Sequence, residues 1–313
     1  MNPPKVALVI PAYNETPVLP ELFARLTAVF AGRTDVAWSV IMIDDGSRDA
    51  TAEMIAAQCE RDPRFRLLAL SRNFGFQAAL MAGLEHAGEF DAVVTMDADL
   101  QDPPEIIPEL VTAWQNGAGV VLAVRRTRAE SGLRRIGFDL FHQLFGRLVD
   151  PKIERNTGTF GLLSRAAVAA FNRLPESHRF FPGLRTWLGF PRTEVLYDRQ
   201  ERAAGESGQS FLRLLRYAFD GIFSFSRLPL RLLTICGMFI ASLGFAVGLF
   251  FIVRRLMGIE IAQVGFTTLV TLVLFLGGVQ LIGIGVLGEY LGRVYDEVKR
   301  RPNYIMKQRI GFE

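Results

Sequence analysis

The chain has 313 residues, half of them hydrophobic, and its 35 Lys and Arg against 32 Asp and Glu leave a net charge of +3. That near-balance excludes a strongly basic nucleic-acid binder. Two distant cysteines, Cys59 and Cys236, exclude a disulfide framework or a thiolate metal cluster.

The mean hydropathy of +0.24 is unevenly spread. Residues before Leu228 read as a water-soluble domain, and the apolar excess follows it. From Met1 to Val9 there is one lysine and an apolar run too short for a signal peptide, so the N-terminal domain is expected in the cytoplasm. Short apolar runs then alternate with amphipathic stretches. The predicted strands are Val6–Ile10, Ser39–Ile43, Arg66–Leu70, Ala92–Met96 and Val120–Val124, with helices near 17–31, 49–60, 75–87 and 104–116. Strands this uniformly apolar belong in a parallel sheet buried on both faces, and the alternation predicts a doubly wound α/β layer. Ligands of such sheets sit beyond the carboxyl ends of the strands. The polar clusters fall there: Pro11–Glu15, Asp44–Asp49, Ser71–Gly75 and Asp97–Asp102.

Past Arg125 the periodicity weakens. Residues 126–150 read as an arginine-bearing loop and a helix, 156–175 as strand, turn and helix, and 176–205 as a mixed stretch ending at Gly205-Glu206-Ser207-Gly208. That closes a first domain at 1–208. Residues 209–228 place Phe211, Leu214, Leu215, Ala218, Ile222 and Phe223 at helical spacing with Arg213 and Arg216 on another face, as in an interfacial helix. Within 229–290 two uncharged runs, 232–253 and 266–288, each reach the roughly 20 residues that cross a bilayer, which predicts a two-helix transmembrane hairpin. Basic residues (Arg227, Arg231, Arg293, Lys299, Arg300, Arg301, Lys307, Arg309) flank its outer ends, against Arg254 and Arg255 in the connector. Both termini are then cytoplasmic, and 291–313 reads as a basic cytoplasmic tail. Six glycines between Gly277 and Gly292 permit close helix approach, so a homo-oligomer, dimer or tetramer, is expected.

Asp97 and Asp99 are the sharpest chemical feature. At i and i+2 on a strand end their carboxylates share a face, about 6.6 Å apart. Such a pair repels unless a cation lies between, and Mg²⁺ or Mn²⁺ would satisfy it while staying open to diphosphate oxygens. Gln101 and Asp102 stand just beyond; the plainer reading is an Asx-turn with Asp102 as N-cap before Pro103-Pro104. Tyr13 can stack on a base, Asp44 or Asp45 can accept a base N–H, and Glu15 can reach a ribose; Ser47 or Asp49 equally suits a helix cap. No G-x-G-x-x-G or Walker sequence follows a strand. Arg125, Arg126, Arg128, Arg134 and Arg135 follow the fifth strand, and the planar guanidinium fork suits phosphate. Those not needed for phosphate would face an anionic membrane. His86, His142 and His178 are scattered and read as structural.

Together "VIPAYNE", "IDDGSRD", "SRNFGFQAALMAGL", "MDADLQDPPE", two apolar spans and "GEYLGRVYDEVKRRPNY" resemble the polyprenyl-phosphate glycosyltransferases. These are inverting family-2 enzymes with the GT-A (Rossmann-like) fold, among them dolichol-phosphate mannose synthases, bactoprenol glucosyltransferases and undecaprenyl-phosphate aminoarabinose transferases. The resemblance implies transfer of one sugar from a nucleotide sugar, expected to be a UDP-sugar, to a polyprenyl phosphate at the cytoplasmic face of a bacterial inner membrane. It implies nucleotide contacts at Pro11, Tyr13, Glu15 and Asp45, with Asp44 adjacent. Donor and metal contacts fall at Asp97, Ala98, Asp99 and Gln101, and phosphate-handling arginines at Arg125, Arg134 and Arg202. Two positions depart from the pattern. Gly208 and Gln209 replace a lysine after the Gly-Glu-Ser element, and Gly158-Thr159-Phe160 replaces a Gly-Asp-Phe whose acid is assigned as a base. A phosphate monoester has a second pKa near 6, so a largely dianionic acceptor needs no base. The competing readings are a processive polysaccharide synthase, against which stand only two spans and no Gln-x-x-Arg-Trp, and a non-catalytic membrane subunit that binds nucleotide sugar.

Overall fold

Where an apolar run of this chain can be covered on both faces it becomes a strand of one sheet. The computed structural model describes residues 3–126, 157–176, 179–198, 228–257 and 265–312. Its elements are β1 (Lys5–Ala12), α1 (Leu19–Gly32), β2 (Ala37–Asp44), α2 (Thr51–Arg61), β3 (Phe65–Leu70), α3 (Phe76–Glu85) and β4 (Ala92–Thr95). A 3₁₀ turn at Pro104–Ile106 leads into α4 (Ile107–Gln115) and β5 (Val120–Arg125). Then come β6 (Thr157–Ser164), α5 (Arg165–Asn172), α6 (Phe181–Trp187), β7 (Arg192–Tyr197), α7 (Leu228–Leu256), α8 (Phe266–Lys299) and β8 (Met306–Ile310). All five predicted strands are present as β1 to β5. Contacts divide the chain into two units, Met1–Arg213 with Arg301–Glu313, and Leu214–Arg300.

In the first unit an eight-stranded sheet runs β7-β5-β6-β4-β1-β2-β3-β8. β1, β2, β3 and β4 pair in parallel, as do β5 and β7, whereas β6 lies antiparallel between β4 and β5. Val6, Leu8, Ile10, Val40 and Met42 have no solvent exposure, sharing one core cluster with Leu19, Leu22 and Leu26 of α1 and Ile55 of α2. Each such side chain contributes about 1.5–3 kcal/mol relative to leaving it in water.

The expected basic tail, 291–313, has a different form. α8 continues to Lys299, Arg300 turns the chain in a left-handed conformation (φ 48°), and β8 adds antiparallel to the edge strand β3, from Leu67↔Ile310 to Leu70↔Met306. The Tyr304 hydroxyl donates to Glu85 Oε2 (2.6 Å), and the Ser71 N–H donates to the Ile305 carbonyl (2.9 Å). Lysine and arginine on an edge strand keep it from pairing with other chains; here Lys307 and Arg309 alternate with Met306, Gln308 and Ile310.

In the second unit α7 and α8 touch where a Cβ on Gly283 would stand 3.3 Å from Leu233 Cδ1. Both helices expose large apolar side chains, Phe239 and Phe245 on α7 and Leu281 on α8 being 69%, 75% and 71% exposed. Among the described residues Phe275–Lys299 is long and apolar enough to cross a membrane, and Leu232–Val247 is a shorter apolar stretch. The predicted interfacial helix at 209–228 falls, but for its last residue, outside the described residues.

Candidate active site

The strand order reverses at β1, with β2 and β3 on one side and β4 on the other. The β1–β4 ladder ends at Val9↔Thr95, whereas β1–β2 continues to Ala12↔Asp44. Pro11, which has no N–H to offer, stands just beyond that point. The β1–β4 pairing stops there, and in open α/β sheets ligands bind beyond the carboxyl ends of the strands at such a switch point. All four predicted polar clusters follow strands that end at this edge.

On the β1–β3 side the loops are cross-tied. The Asn14 N–H donates to Ser47 Oγ (3.0 Å), and its Oδ1 accepts from the Arg48 N–H (2.9 Å). The Glu15 N–H donates to Thr51 Oγ1 (2.9 Å), and the Thr16 hydroxyl donates to Asp49 Oδ2 (2.7 Å). Ser47 and Asp49 thus tie the β1 loop to the β2 loop; the N-cap position of α2 is Ala50, and Asp49 Oδ1 accepts from the Thr51 N–H at the helix start (3.1 Å). Buried Asp45 accepts from the N–H groups of Phe74 (2.7 Å) and Gly75 (3.0 Å), and buried Asp44 accepts from the Ser47 N–H (3.2 Å). Burial raises the Asp45 pKa, against those two backbone donors. Gly46 is obligatory: its φ is +66°, and a Cβ would fall 2.3 Å from the Arg72 carbonyl carbon. Tyr13 is exposed, whereas Pro11 and Ala12 are buried. Of this predicted set, Pro11 can therefore offer a ligand only its backbone.

On the β4 side Asp97 Oδ1 accepts from the Thr159 hydroxyl (3.0 Å). Burial, then the charges of Asp102 and Asp99, push the Asp97 carboxyl up to about 7; Thr159 and Arg125 pull the other way. Asp99 Oδ1 accepts from the Gln101 N–H (3.2 Å), the expected Asx-turn. Between them buried Leu100 takes a left-handed φ of 59°. A bulky residue there stores strain of about 1–3 kcal/mol, a feature that clusters at functional sites. Ala98 packs into the core and presents only its backbone.

Asp102 is not a helix cap. The N-cap position before the 3₁₀ turn is Pro103, and Asp102 is 1% exposed. Its Oδ1 accepts from the Tyr197 hydroxyl and lies 3.6 Å from Arg125 Nη2, while Arg125 Nε donates to the same hydroxyl (3.0 Å). The β5–β7 register, which sets Arg125 beside Tyr197, creates this arrangement. Burial acts to lower the Arg125 pKa, but Asp102, Tyr197 and Asp97 outweigh it and the guanidinium is held charged. His86 Nδ1 lies 2.8 Å from the Ala82 carbonyl oxygen. Arg134 and Arg202, with Arg128, Arg135, His142 and His178, lie outside the described residues.

Sequence reasoning missed Tyr197 altogether and treated Thr159 only as a departure from a pattern. Thr159 could have been flagged because it sits in an apolar strand one residue past a glycine; Tyr197 carries no local signal. For a metal, no group of three or more His, Cys, Asp or Glu is assembled among the described residues. The carboxylates of Asp97 and Asp99 nevertheless fit a Mg²⁺ or Mn²⁺ ion. They are hard oxygen donors whose mutual repulsion a cation relieves, and such ions commonly take one or two carboxylates with the rest from substrate phosphates.

Asp97→Asn tests the electrostatics. A carboxyl raised from 3.8 to about 7 in the folded protein favours folding fully at low pH and loses that contribution as pH rises through 7. Without metal, the asparagine variant should match the wild-type melting temperature near pH 4 and exceed it at pH 8. Thermal melts at both pH values with chelator present check this; an equal difference at both would refute the assignment.

The family model for glycosyl transferase family 2 matches residues 7–171. An SfII prophage-derived bactoprenol glucosyl transferase of Shigella flexneri is 44% identical over 305 residues, 97% of this chain and 98% of that protein. An uncharacterized glycosyltransferase of Synechocystis sp. is 42% identical over 311 residues, 99% of this chain and 96% of that one. Mannosyl-3-phosphoglycerate synthase from Rubrobacter xylanophilus shares the fold at 19% identity, with a TM-score of 0.50 over 75% of each chain.

Proposed function

The chain belongs to glycosyl transferase family 2, and from that premise we propose that it transfers one sugar from a nucleotide sugar to a polyprenyl phosphate at the cytoplasmic face of a bacterial inner membrane. The observation that carries this reading is the set of polar loops at the carboxyl ends of β1 to β4, beside the β1/β4 switch point, in a chain that also contains α7 and α8, with their exposed apolar side chains. A helix apolar on every side is suited to lipid rather than water. The acceptor class follows the relatives named bactoprenol glucosyl transferase.

In this reading Tyr13 stacks on the base, expected to be uracil, and Asp45, with Asp44 beside it, accepts a base N–H. A carboxylate has about four lone-pair sites, so two backbone donors leave Asp45 acceptor capacity. Glu15 reaches the ribose, and the backbones of Pro11 and Ala98 line the donor. Asp97, Asp99 and Gln101 would hold Mg²⁺ or Mn²⁺, which when bound neutralises charge on the departing diphosphate. Arg125, held charged by Asp102, is the catalytic arginine at that diphosphate, and Arg134 and Arg202 hold phosphate. The acceptor phosphate is already largely dianionic at neutral pH, so attack needs no general base and Thr159 is not asked to serve as one. In-line attack inverts the anomeric centre.

The sheet contains residues from before α7 and, in β8, from after α8. A chain that leaves the sheet and returns to it must cross a bilayer an even number of times, which favours a two-span hairpin with both termini cytoplasmic. The glycine-rich face of α8 suits homo-oligomer contacts.

The test is a panel of nucleotide sugars given to the detergent-solubilised full chain with undecaprenyl phosphate and Mg²⁺ or Mn²⁺, with lipid products read by mass spectrometry. One sugar per lipid is the expected product. Several sugars per lipid would point to a processive synthase, and binding without turnover across the panel to a non-catalytic subunit.

A further inference from the structure

Arg185, on α6, is 1% exposed and has no carboxylate partner among the described residues. A buried unpaired charge costs several kcal/mol by the usual scales, and burial lowers its pKa only to about 10, so it stays charged at neutral pH. Its Nε has no hydrogen-bond partner. The Phe181 ring, 5.3 Å away, offers partial compensation. The remaining donors go to two backbone carbonyls, with Nη2 on Gly158 (3.1 Å) and Nη1 on Phe160 (3.4 Å). These flank Thr159 in β6, and the Thr159 carbonyl itself accepts from the Thr95 hydroxyl. Close approach is possible because residue 161 is glycine: a Cβ there would lie 2.9 Å from Arg185 Nη1.

Three consecutive carbonyls are therefore fixed by side chains, and the residue at their centre donates its hydroxyl to Asp97 Oδ1 at 3.0 Å. We propose that Thr159 is a positioning residue for Asp97, its hydroxyl fixing the carboxylate's orientation and so setting the metal affinity of the site. Arg185 and Thr95 hold Thr159 in place for that purpose. The physical logic is that of an outer-shell partner. A carboxylate whose one oxygen is held presents the other in a single direction, whereas an unheld carboxylate must surrender rotational freedom when it binds. A buried cation is otherwise hard to account for beneath an apolar strand, since an apolar residue of similar volume would fill the space without desolvating a charge.

The inference rests on the reading of Asp97 as a ligand, and the experiment separates the two. Mn²⁺ alone is titrated into metal-free, full-length protein in detergent, with free Mn²⁺ read by electron paramagnetic resonance. Thr159→Val, nearly isosteric but without a hydroxyl, should weaken Mn²⁺ binding by about 10–100-fold. Thr159→Ser, which keeps the hydroxyl, should restore it. Arg185→Lys, which keeps the charge but loses the two-pronged fork, should shift binding in the same direction as Thr159→Val. Thermal melts and circular dichroism accompany each variant, and Thr159→Ala replaces Thr159→Val if the latter does not fold. Unchanged binding in Thr159→Val alongside lost binding in Asp97→Asn would overturn the positioning role alone. Unchanged binding in Asp97→Asn would overturn the metal reading beneath it.

Discussion

Asp99→Ala should lower turnover by about 10³-fold or more, with no loss of thermal stability. Asp99 sits at the end of the β4 loop, where Leu100 is held in a strained left-handed conformation. Its carboxylate adds to the charge that pushes Asp97 up to about 7. Removing it therefore relieves repulsion in the resting protein while deleting half of the carboxylate pair proposed to hold the metal. Loss of function with retained stability is the signature of a group kept for chemistry. The measurement is metal-dependent release of the nucleotide in the presence of undecaprenyl phosphate, paired with a melting curve. Wild-type release rates in the alanine variant would remove Asp99 from the catalytic site, and a collapsed melting curve would recast it as structural.

Asp102→Ala should have the opposite character. Asp102 is buried, takes the Tyr197 hydroxyl, and stands 3.6 Å from the Arg125 guanidinium. Truncation would leave a half-buried cation without its counter-charge and a phenol without its acceptor. The cost should be about 2–4 kcal/mol, near the lower range for breaking a buried pair because Arg125 keeps some solvent contact. For a unit of this size that lowers the melting temperature by about 5–15 °C. Asp102→Asn, which keeps an acceptor for Tyr197, should lose less stability. Turnover should fall in both, since Arg125 would no longer be held toward the proposed diphosphate position. An unchanged melting temperature in Asp102→Ala would show that the Asp102–Tyr197–Arg125 contacts contribute little to the fold.

These two aspartates are three residues apart and were read from the sequence as one cluster. An Asx-turn before Pro103-Pro104 is present, made by Asp99, whose Oδ1 accepts from the Gln101 N–H. Asp102 looked like a cap because acids before a Pro-Pro helix start commonly are. Yet Pro103 occupies the cap position, and the carboxylate finds partners at Arg125 and Tyr197, 95 residues away in the second case. Of the two caps expected for α2, Asp49 does accept from the first helical N–H, that of Thr51 (3.1 Å), whereas Ser47 does not cap the helix. Ser47 Oγ and the other Asp49 oxygen also meet Asn14 and Thr16, on a loop that only the β1–β2 pairing brings alongside.

By itself the sequence determined the alternating α/β layer, the positions of β1 to β5, the polar edge that follows them and the helical nature of the apolar runs in α7 and α8. Each depends on signals carried within a few residues, uniform apolar runs and helical spacing; the strand-end geometry expected for Asp97 and Asp99 is replaced by a turn, because β4 ends at Thr95. The tertiary structure alone decided that Thr159 rests against Asp97, that Tyr197 links Asp102 to Arg125, and that a buried Arg185 donates to the carbonyls on either side of Thr159. It also turned part of a supposed basic tail into β8, where the alternation of Met306, Gln308 and Ile310 with Lys307 and Arg309 was overshadowed by its charge. The physical reason is common to all four. A hydrogen-bond partner far away in the chain is chosen by strand order and register, and these are properties of the whole sheet rather than of any short window of sequence.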